Sequence, residues 1–246
     1  MKSNPEPDNN NFTELQDWMI HWKNFKPFVV GESKLEDLLL DFPEKASFIE
    51  IGGFPGLYSI FFRKKFNYDV HLLDYVIIPE IIHGMEQTNQ LPEGSIHVLK
   101  EDFFTYVPER RFDVVFSYGF IEHFVDIPGV ISRHVDLLNE NGRLLIVLPN
   151  LNGMSGAFFK LTDPGMFSKH NLKSMNLGLL DGICRDLGLM EIDVRYYGKP
   201  HLWINSSSPV DSRFMRFCIK YLNGVLQRIP LTSRFFSPLI VVKARK

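Results

Sequence analysis

The sequence predicts an α/β fold in which helices cover both faces of a parallel sheet. Short apolar runs alternate with segments of helical periodicity between residues 46 and 196. Runs this short and this apolar are typical of strands that are buried on both faces. A glycine-rich segment follows the first run, as in many ligand-binding α/β sheets. The 246 residues, 45% apolar and 23% charged, are enough for one large globular domain.

The N-terminal part of the chain is expected to be helical after a flexible leader. Residues 1–11 are polar and form that leader. Apolar residues then recur at helical spacing, at Leu15, Trp18, Met19 and Trp22. A second helix is predicted over Lys34–Asp41, ending before Pro43.

The rest of the chain is predicted to alternate between strands and helices. Asn139 to Gly142 is expected to stop a helix, and residues 150–170 are expected to form a long loop. Residues 199–236 are expected to be an insertion with one helix. Strands are predicted over residues 47–51, 70–74, 95–99, 112–117, 143–148, 190–196 and 238–243, and helices over 56–66, 79–88, 127–138 and 172–187.

Composition and charge exclude several classes of protein. Only Cys184 and Cys218 are present, which argues against a structural zinc site and fits a reducing compartment. The net charge of -2 argues against a nucleic-acid partner. No signal peptide and no apolar run of about 20 residues is visible, so we expect a cytoplasmic protein.

The C-terminal segment 211–246 is basic, with a net charge of +7, whereas residues 1–210 carry -9. Apolar residues at helical spacing lie among these charges: Phe214, Met215, Phe217, Cys218, Tyr221, Leu222, Val225 and Leu226. We expect this stripe to pack on the domain, cap a cleft or form a homodimer. The alternative is an interfacial helix on an anionic membrane, which would bring the protein to a lipid-linked acceptor.

The sharpest motif is the loop that follows the first predicted strand. Gly52, Gly53 and Gly56 allow a tight turn and a close approach of the backbone to a ligand. The helix that follows adds unpaired N–H groups and a partial positive charge. Glu50 would repel a pyrophosphate and attract an ammonium group. These features favour a ligand that carries an amino-acid ammonium over a dinucleotide.

Acidic residues also follow the next two predicted strands. Asp74 is placed to accept hydrogen bonds from both hydroxyls of a ribose. Asp102 is placed to accept from an adenine amine, with Phe103 covering the ring. Each acid alone is more often a helix cap. The carboxyl ends of parallel strands meet at one edge, so the three acids together favour a nucleoside site.

These motifs resemble the class I S-adenosylmethionine-dependent methyltransferases, above all the small-molecule branch that includes ubiquinone-biosynthesis-like enzymes. The resemblance covers residues 46–196 and the last strand. It implies a Rossmann-like three-layer sandwich whose seven-stranded sheet has an antiparallel last strand. It also implies an N-terminal lid over 12–45, a cofactor core over 46–196, a helical insertion over 199–236 and a last strand over 237–246, all in one domain. The residues that carry the resemblance are Glu50-x-Gly52-x-x-x-Gly56, Asp74, Asp102-Phe103 and Phe112 to Ser117 leading to Glu122-His123.

The resemblance also implies roles for single residues, with S-adenosylmethionine as the cofactor. Glu50, Gly52 and Gly56 would line its methionine end, Asp74 its ribose, and Asp102 and Phe103 its adenine. Gly53 and Tyr75 also belong to the expected cofactor-binding set. In this family, residues that face the acceptor follow the fourth strand, which here places Ser117 and Tyr118 there. We expect these two residues to contact the cofactor as well. The chain departs from the family at Phe54-Pro55, where the family often has a glycine; Pro55 is expected at a first helical position and Phe54 is expected to narrow the cofactor slot.

The reaction implied is methyl transfer to a small, partly apolar acceptor, most simply at a hydroxyl oxygen. A hydroxyl nucleophile needs a base, and His123 and His170 are the candidates, although His123 also fits a helix start. The chain lacks the Asn/Asp-Pro-Pro-aromatic motif of nucleic-acid amino-methylases. No His/Asp cluster has metal-ligand spacing along the sequence, so we expect no catalytic metal. The alternatives are a nicotinamide-dependent oxidoreductase and a non-catalytic protein that binds S-adenosylmethionine.

Overall fold

The computed structural model describes residues 22, 25–33, 35–39, 42–204, 208 and 210–246. Its strands form one seven-stranded sheet. Most strands are short apolar runs that are buried on both faces, which is why their positions could be predicted from the sequence. The strands are β1 (Ser47–Ile51), β2 (Asp69–Leu73), β3 (Ile96–Leu99), β4 (Phe112–Tyr118), β5 (Leu138–Pro149), β6 (Met190–Tyr197) and β7 (Leu239–Arg245).

Helices connect most of these strands. The α-helices among the described residues are α1 (Leu57–Phe66), α2 (Pro79–Thr88), α3 (Ile127–Asp136), α4 (Met154–Thr162), α5 (Pro164–Phe167), α6 (Leu177–Asp186) and α7 (Arg213–Leu226). Short 3-10 turns lie at Glu36–Leu39, Ile121–His123 and Leu172–Ser174.

The strand order is β3-β2-β1-β4-β5-β7-β6. β1 pairs in parallel with both β2 and β4, whereas β7 pairs antiparallel with β5 and with β6. This confirms the predicted sheet with its antiparallel last strand. The strand order reverses between β1 and β4, and ligands of open α/β sheets bind beside that point, at the carboxyl ends of the strands.

Two apolar cores lie on opposite faces of the sheet. Successive strand residues point to opposite faces, so Phe48 joins one core and its neighbour Ile49 joins the other. Phe48 stacks on Phe62 of α1 at 4.2 Å between ring centroids. The opposite core includes Ile131 of α3 and Leu180 of α6. Both faces are therefore covered, and the carboxyl edge remains as the place for a site.

The predicted loop over residues 150–170 is mostly helical, which corrects that prediction. It contains α4 and α5. Two of its glycines lie where the backbone is packed too closely for a side chain. A Cβ on Gly156 would lie 1.9 Å from the Leu151 carbonyl oxygen, and one on Gly153 would lie 2.5 Å from the Arg234 carbonyl oxygen. Pro164 occupies the start of α5.

The helix predicted to stop at residues 139–142 does end before them, at Asp136, but these residues lie within β5 and do not form a separate turn. The β4–β5 register shifts between Phe112 and Val114, which accommodates the extra residues as an irregularity. The Asn141 amide donates to the Lys246 carbonyl at 3.1 Å, and the Lys246 amide donates to the Gly142 carbonyl at 3.0 Å. Asn141 and Gly142, residue types that are common in turns, are thus held in the strand by backbone hydrogen bonds to Lys246.

Two helix predictions need smaller corrections, and a third is not tested. The helix through Leu15, Trp18 and Met19 lies outside the described residues, although Trp22 is helical. The segment predicted over Lys34–Asp41 contains only the 3-10 turn Glu36–Leu39 among its described residues. The helix predicted over 172–187 is divided into a 3-10 turn and α6, because the Asn176 side chain accepts from the Leu179 amide and starts a new helix.

Candidate functional site

The glycine loop after β1 is packed too closely for side chains. Gly52 has φ +62°, and a Cβ there would lie 2.2 Å from the Phe120 ring. A Cβ on Gly53 would lie 2.1 Å from the Glu50 carboxyl carbon. Gly56 has φ +88° and precedes α1, which begins at Leu57. Pro55 therefore does not occupy the predicted first helical position.

Glu50 lies beneath this loop and not in a cavity wall. Its Oε2 accepts from the Ser59 amide at 2.7 Å and from the Ser59 hydroxyl at 2.6 Å. Burial raises the pKa of Glu50 to about 8, because desolvation outweighs these hydrogen bonds. The side chain thus ties the loop to α1.

Asp74 lies at the end of β2, facing the loop. Its Oδ2 accepts from the Phe54 amide at 3.0 Å and its Oδ1 accepts from the Val76 amide at 2.8 Å. Desolvation raises the pKa of Asp74 to about 6. A carboxylate has about four acceptor positions, so both oxygens retain capacity for a further donor.

Asp102 and Phe103 follow β3 as the sequence predicts. The Asp102 Oδ1 accepts from the Phe104 amide at 2.7 Å, which is the capping role that a lone Asp often takes. Phe103 is buried and packs edge-on against Phe120 at 5.2 Å between ring centroids.

Asp74, Asp102 and Phe103 line a first cavity of about 100 Å³ at the carboxyl edge. Phe54 lies in its wall and contacts the Trp22 ring edge-on at 5.3 Å, so it narrows this space as predicted. The predicted residues that line this cavity are Gly52, Asp74, Tyr75, Asp102, Phe103 and His123. Glu50, Gly53, Gly56 and Ser117 do not line it.

Ser117 and Tyr118 end β4 in different environments. Ser117 is buried, and its hydroxyl lies 3.1 Å from Nε2 of the buried His134. His134 was not predicted as a polar partner, since its helix position resembles that of a core residue. Tyr118 stacks on Tyr58 at 5.2 Å and lines a second cavity. Its burial raises its pKa to about 12.

The second cavity has a volume of about 1190 Å³ and adjoins the first. Gly119 and His123 line both cavities. Its apolar wall includes Leu151, Phe159, Met166 and Trp203, with the Phe159 and Trp203 rings 6.0 Å apart. The segment 150–170 thus supplies much of the apolar wall of this cavity.

Three ionisable side chains meet beside the junction of the two cavities. Glu122 and His123 lie in the 3-10 turn after β4, and His170 follows α5. The His123 and His170 rings are 5.0 Å apart, and Nε2 of His123 is 4.0 Å from Oε1 of Glu122. One donor atom from each side chain lies within 4.8 Å of the others, which is close enough to hold a metal ion.

Burial governs the charge of this group. It raises the pKa of Glu122 to about 8 and lowers the pKa of His123 to about 3, with the neighbouring His170 contributing to the second shift. The pKa of His170 is also lowered by burial. Both imidazoles are therefore neutral near pH 7 and carry a lone pair.

The sequence predicts both histidines but not their grouping with Glu122. Glu122 is visible in the sequence only as part of the motif with His123, and His170 is 47 positions further along the chain. The linear spacing therefore gives no sign of the cluster. The adjacent Glu122 and His123 shortly after the fourth predicted strand are the sequence signal that points to this cluster.

No helix among the described residues is long and apolar enough to span a membrane.

Comparisons with known proteins agree with this fold. A family model described as a methyltransferase domain matches residues 29–187. A S-adenosylmethionine-dependent methyltransferase from Archaeoglobus fulgidus has a TM-score of 0.56 and 20% identity, covering 87% of this chain and 91% of that one. A putative sarcosine dimethylglycine methyltransferase from Galdieria sulphuraria has a TM-score of 0.58 and 15% identity, covering 94% of this chain and 97% of that one.

A third structure, a possible histamine N-methyltransferase from Thermotoga maritima, has a TM-score of 0.56 and 14% identity, covering 94% of this chain and 93% of that one. A comparison with curated protein sequences gives no significant match. The family model alone spans more than half of the chain. With its strand order and its glycine loop after β1, the chain belongs to the methyltransferase-domain family, as a class I methyltransferase that uses S-adenosylmethionine.

Proposed function

We propose that this protein transfers the methyl group of S-adenosylmethionine to a hydroxyl oxygen of a small, partly apolar acceptor. The observation that carries the proposal is the junction of the two cavities. The smaller cavity has the loop and acids suited to the cofactor, and the larger has apolar walls. His123 borders both, so a group held there lies between donor and acceptor.

The cofactor is proposed to occupy the first cavity. Its ribose hydroxyls would donate to Asp74 beside Tyr75, and its adenine would lie against Phe103 with its amine near Asp102. The methionine end would follow Gly52 and the rest of the glycine loop. Glu50 supports this arrangement from below, because its hydrogen bonds to Ser59 hold the loop against α1.

The chemical step is a displacement at the methyl carbon. The acceptor oxygen forms the new C–O bond as the C–S bond breaks, the sulfonium becomes a thioether, and the hydroxyl proton goes to a base. Positioning and exclusion of water supply most of the rate in such a step. We place proton removal at the cluster of Glu122, His123 and His170, because its neutral imidazoles border the acceptor cavity.

A product assay tests the proposal. The protein is incubated with methyl-labelled S-adenosylmethionine and a small-molecule extract of cells, and labelled products are identified by mass and fragmentation. We expect labelled methyl ethers together with S-adenosylhomocysteine. A product labelled on nitrogen or carbon would contradict the hydroxyl assignment. Cofactor binding without any labelled product would instead indicate a non-catalytic binding protein.

We further propose that the acceptor is lipid-linked and that α7 holds the enzyme on an anionic membrane. α7 packs on the domain through Ile219 and Asn223, which are buried. Its opposite side is apolar yet exposed, with Phe214 75% and Tyr221 68% exposed. Phe217, Leu222 and Val225 extend this exposed stripe. An exposed apolar stripe of this size on a helix indicates an interaction surface.

The charges beside the stripe favour an anionic membrane as its partner. Of the basic residues in segment 211–246, Lys243 and Arg245 lie in β7, whereas α7 itself contains Arg213, Arg216 and Lys220 and no acid. The acid of this segment, Asp211, is paired with Arg216 at 2.5 Å. Arg213 and Lys220 lie about two turns apart on the flank of the stripe and are exposed. Gln227 at the end of α7 also lines the acceptor cavity, so a docked helix would place that cavity at the membrane.

Vesicle co-sedimentation tests this surface. With vesicles containing anionic lipid, we expect the protein to sediment at low salt and to be released at high salt, since exposed charges are screened. The double variant Phe217→Ser/Tyr221→Ser should stay in the supernatant, whereas the control Val107→Ser, also highly exposed, should sediment. Wild-type protein in the supernatant at low salt would contradict the proposal, and a dimer that the double variant dissociates would assign the stripe to a homodimer.

A further inference from the structure

The cluster of Glu122, His123 and His170 has the donor composition of a metal site. Two imidazole nitrogens and one carboxylate oxygen lie within 4.8 Å of one another. Glu122 and His123 are buried, and His170 is half-buried. Three-residue sites with two histidines and one carboxylate, open at a remaining position, hold catalytic transition-metal ions in other proteins.

The two histidines are oriented as metal ligands usually are. Nδ1 of His123 lies 3.3 Å from the Lys169 carbonyl oxygen, and Nδ1 of His170 lies 2.9 Å from the Met166 carbonyl oxygen. A carbonyl oxygen only accepts, so these contacts assign the proton of each ring to Nδ1. Nε2 then carries the lone pair. Backbone carbonyls that fix the tautomer in this way are the common outer partners of metal-bound histidines.

Glu122 adds a buried acceptor that the described residues leave without a hydrogen bond. Its Oε2 is buried and has no hydrogen-bond partner among them. The other carboxyl oxygen, Oε1, lies 4.0 Å from Nε2 of His123. A buried carboxyl oxygen without a partner is unfavourable, and coordination of a cation, with loss of the carboxyl proton, would give it one.

We propose that Glu122, His123 and His170 bind one divalent transition-metal cation of the zinc type. The nitrogen donors favour such an ion over Mg²⁺ or Ca²⁺, which prefer oxygen ligands. Ligands at about 2.1 Å from one ion are at most about 4.2 Å apart, so the cluster closes by several tenths of an ångström when it binds. The short 3-10 turn and the segment after α5 are the elements that move.

The role of this ion rests on the proposed function, whereas the existence of the site does not. His123 lines both cavities, so the open position of the ion faces the acceptor. The acceptor hydroxyl would coordinate the ion, which lowers the hydroxyl pKa and releases its proton to solvent. The oxygen then takes the methyl group, and the ion keeps its charge and oxidation state. With the ion bound, the imidazoles serve as ligands and the proton leaves to solvent. Without the ion, a neutral imidazole of the cluster accepts the proton, as in the proposed function above.

Metal binding is measured directly on the full-length protein. After treatment with a chelator, the protein is titrated with Zn²⁺ in competition with a chromophoric chelator, and bound metal is counted by mass spectrometry. We expect about one tightly bound Zn²⁺ per chain. His170→Ala and Glu122→Gln should each weaken Zn²⁺ binding by at least about tenfold. S-adenosylmethionine binding shows that each variant is folded. If His170→Ala does not fold, the more conservative His170→Gln is used in its place.

The matched controls separate this site from surface binding. His83→Ala removes an exposed histidine that lies 3.7 Å from Glu93, and Cys218→Ser removes an exposed thiol. Both should bind Zn²⁺ as the wild type does. No stoichiometric Zn²⁺ in the wild type, or equal affinity in His170→Ala and Glu122→Gln, would overturn the proposal. Because these readouts do not involve turnover, they stand apart from any failure to find methyl transfer.

Discussion

At the scale of single residues, the candidate site depends on carboxylates whose surroundings differ. Asp74 lies at a cavity wall, and its carboxylate can accept further hydrogen bonds. Glu50 is buried under the glycine loop, and one of its oxygens accepts from Ser59. Glu50 lies near the end of β1 and Asp74 follows β2, so the sequence alone places both side chains against the cofactor. Their difference arises from packing, since Gly53 closes over the Glu50 side chain.

Asp74→Ala should weaken S-adenosylmethionine binding by removing a charge-assisted pair of hydrogen bonds from the ribose. The expected loss is on the order of 1.5–3 kcal/mol, or roughly 10- to 150-fold in Kd, measured by calorimetry. Asp136→Ala, which removes an exposed acid at the end of α3, is the control and should bind normally. An unchanged Kd in folded Asp74→Ala protein would remove the ribose assignment.

The affinity for S-adenosylmethionine should also depend on pH through Asp74. Its pKa is raised to about 6 by burial, so it is mostly protonated at pH 5 and ionised at pH 7. Only the ionised form accepts from both ribose hydroxyls, so affinity should fall about tenfold from pH 7 to pH 5. Asp74→Asn should bind more weakly and lose this dependence. An equal slope in that variant would show that another group titrates.

At the scale of elements, the segment between β5 and α6 forms much of the wall of the larger cavity, where we propose that the acceptor binds. α4 contributes Phe159, and the residues after α5 contribute His170. The sequence predicts a loop there because Gly153, Gly156 and Pro164 normally break helices. The structure uses the two glycines for close approach of backbones, which no local pattern reveals.

Gly156→Ala should therefore destabilise the protein although alanine favours helices. Its Cβ would lie 1.9 Å from the Leu151 carbonyl oxygen, and backbone atoms cannot move aside cheaply. The expected loss in the free energy of unfolding is about 1–3 kcal/mol, measured by urea denaturation. Gly182→Ala in α6 is the matched control: nothing lies within 4 Å of its Cβ, so it should gain up to about 1 kcal/mol. Similar effects of both changes would contradict this packing argument.

The 3-10 turn at Ile121–His123 and the segment after α5 are expected to carry the chemistry together. His123→Ala and His170→Ala should each lower turnover about 100-fold or more while S-adenosylmethionine affinity stays near that of the wild type. The measurement is the rate of S-adenosylhomocysteine release with an acceptor found in the product assay. Near-normal turnover in both folded variants would leave positioning alone as the source of the rate.

At the scale of the whole molecule, the sequence predicts the sheet better than the site. β1 has the predicted bounds, and β2, β3 and β4 agree within one residue, because buried apolar runs report parallel strands directly. The cofactor edge follows from that, since the ends of β1 and β2 carry Gly52 and Asp74. The acceptor side depends on contacts between distant segments, such as Glu122 with His170, and these leave no periodic signal.

The most direct test of the whole account is a crystal structure of the protein with S-adenosylhomocysteine bound. We expect the ribose hydroxyls to donate to Asp74 and the adenine ring to lie against Phe103 with its amine near Asp102. The thioether sulfur should face the junction of the two cavities, beside Gly119 and His123. That arrangement would place the methyl group at the mouth of the larger cavity. S-adenosylhomocysteine bound away from Asp74, or with its sulfur facing away from His123, would contradict the central claim.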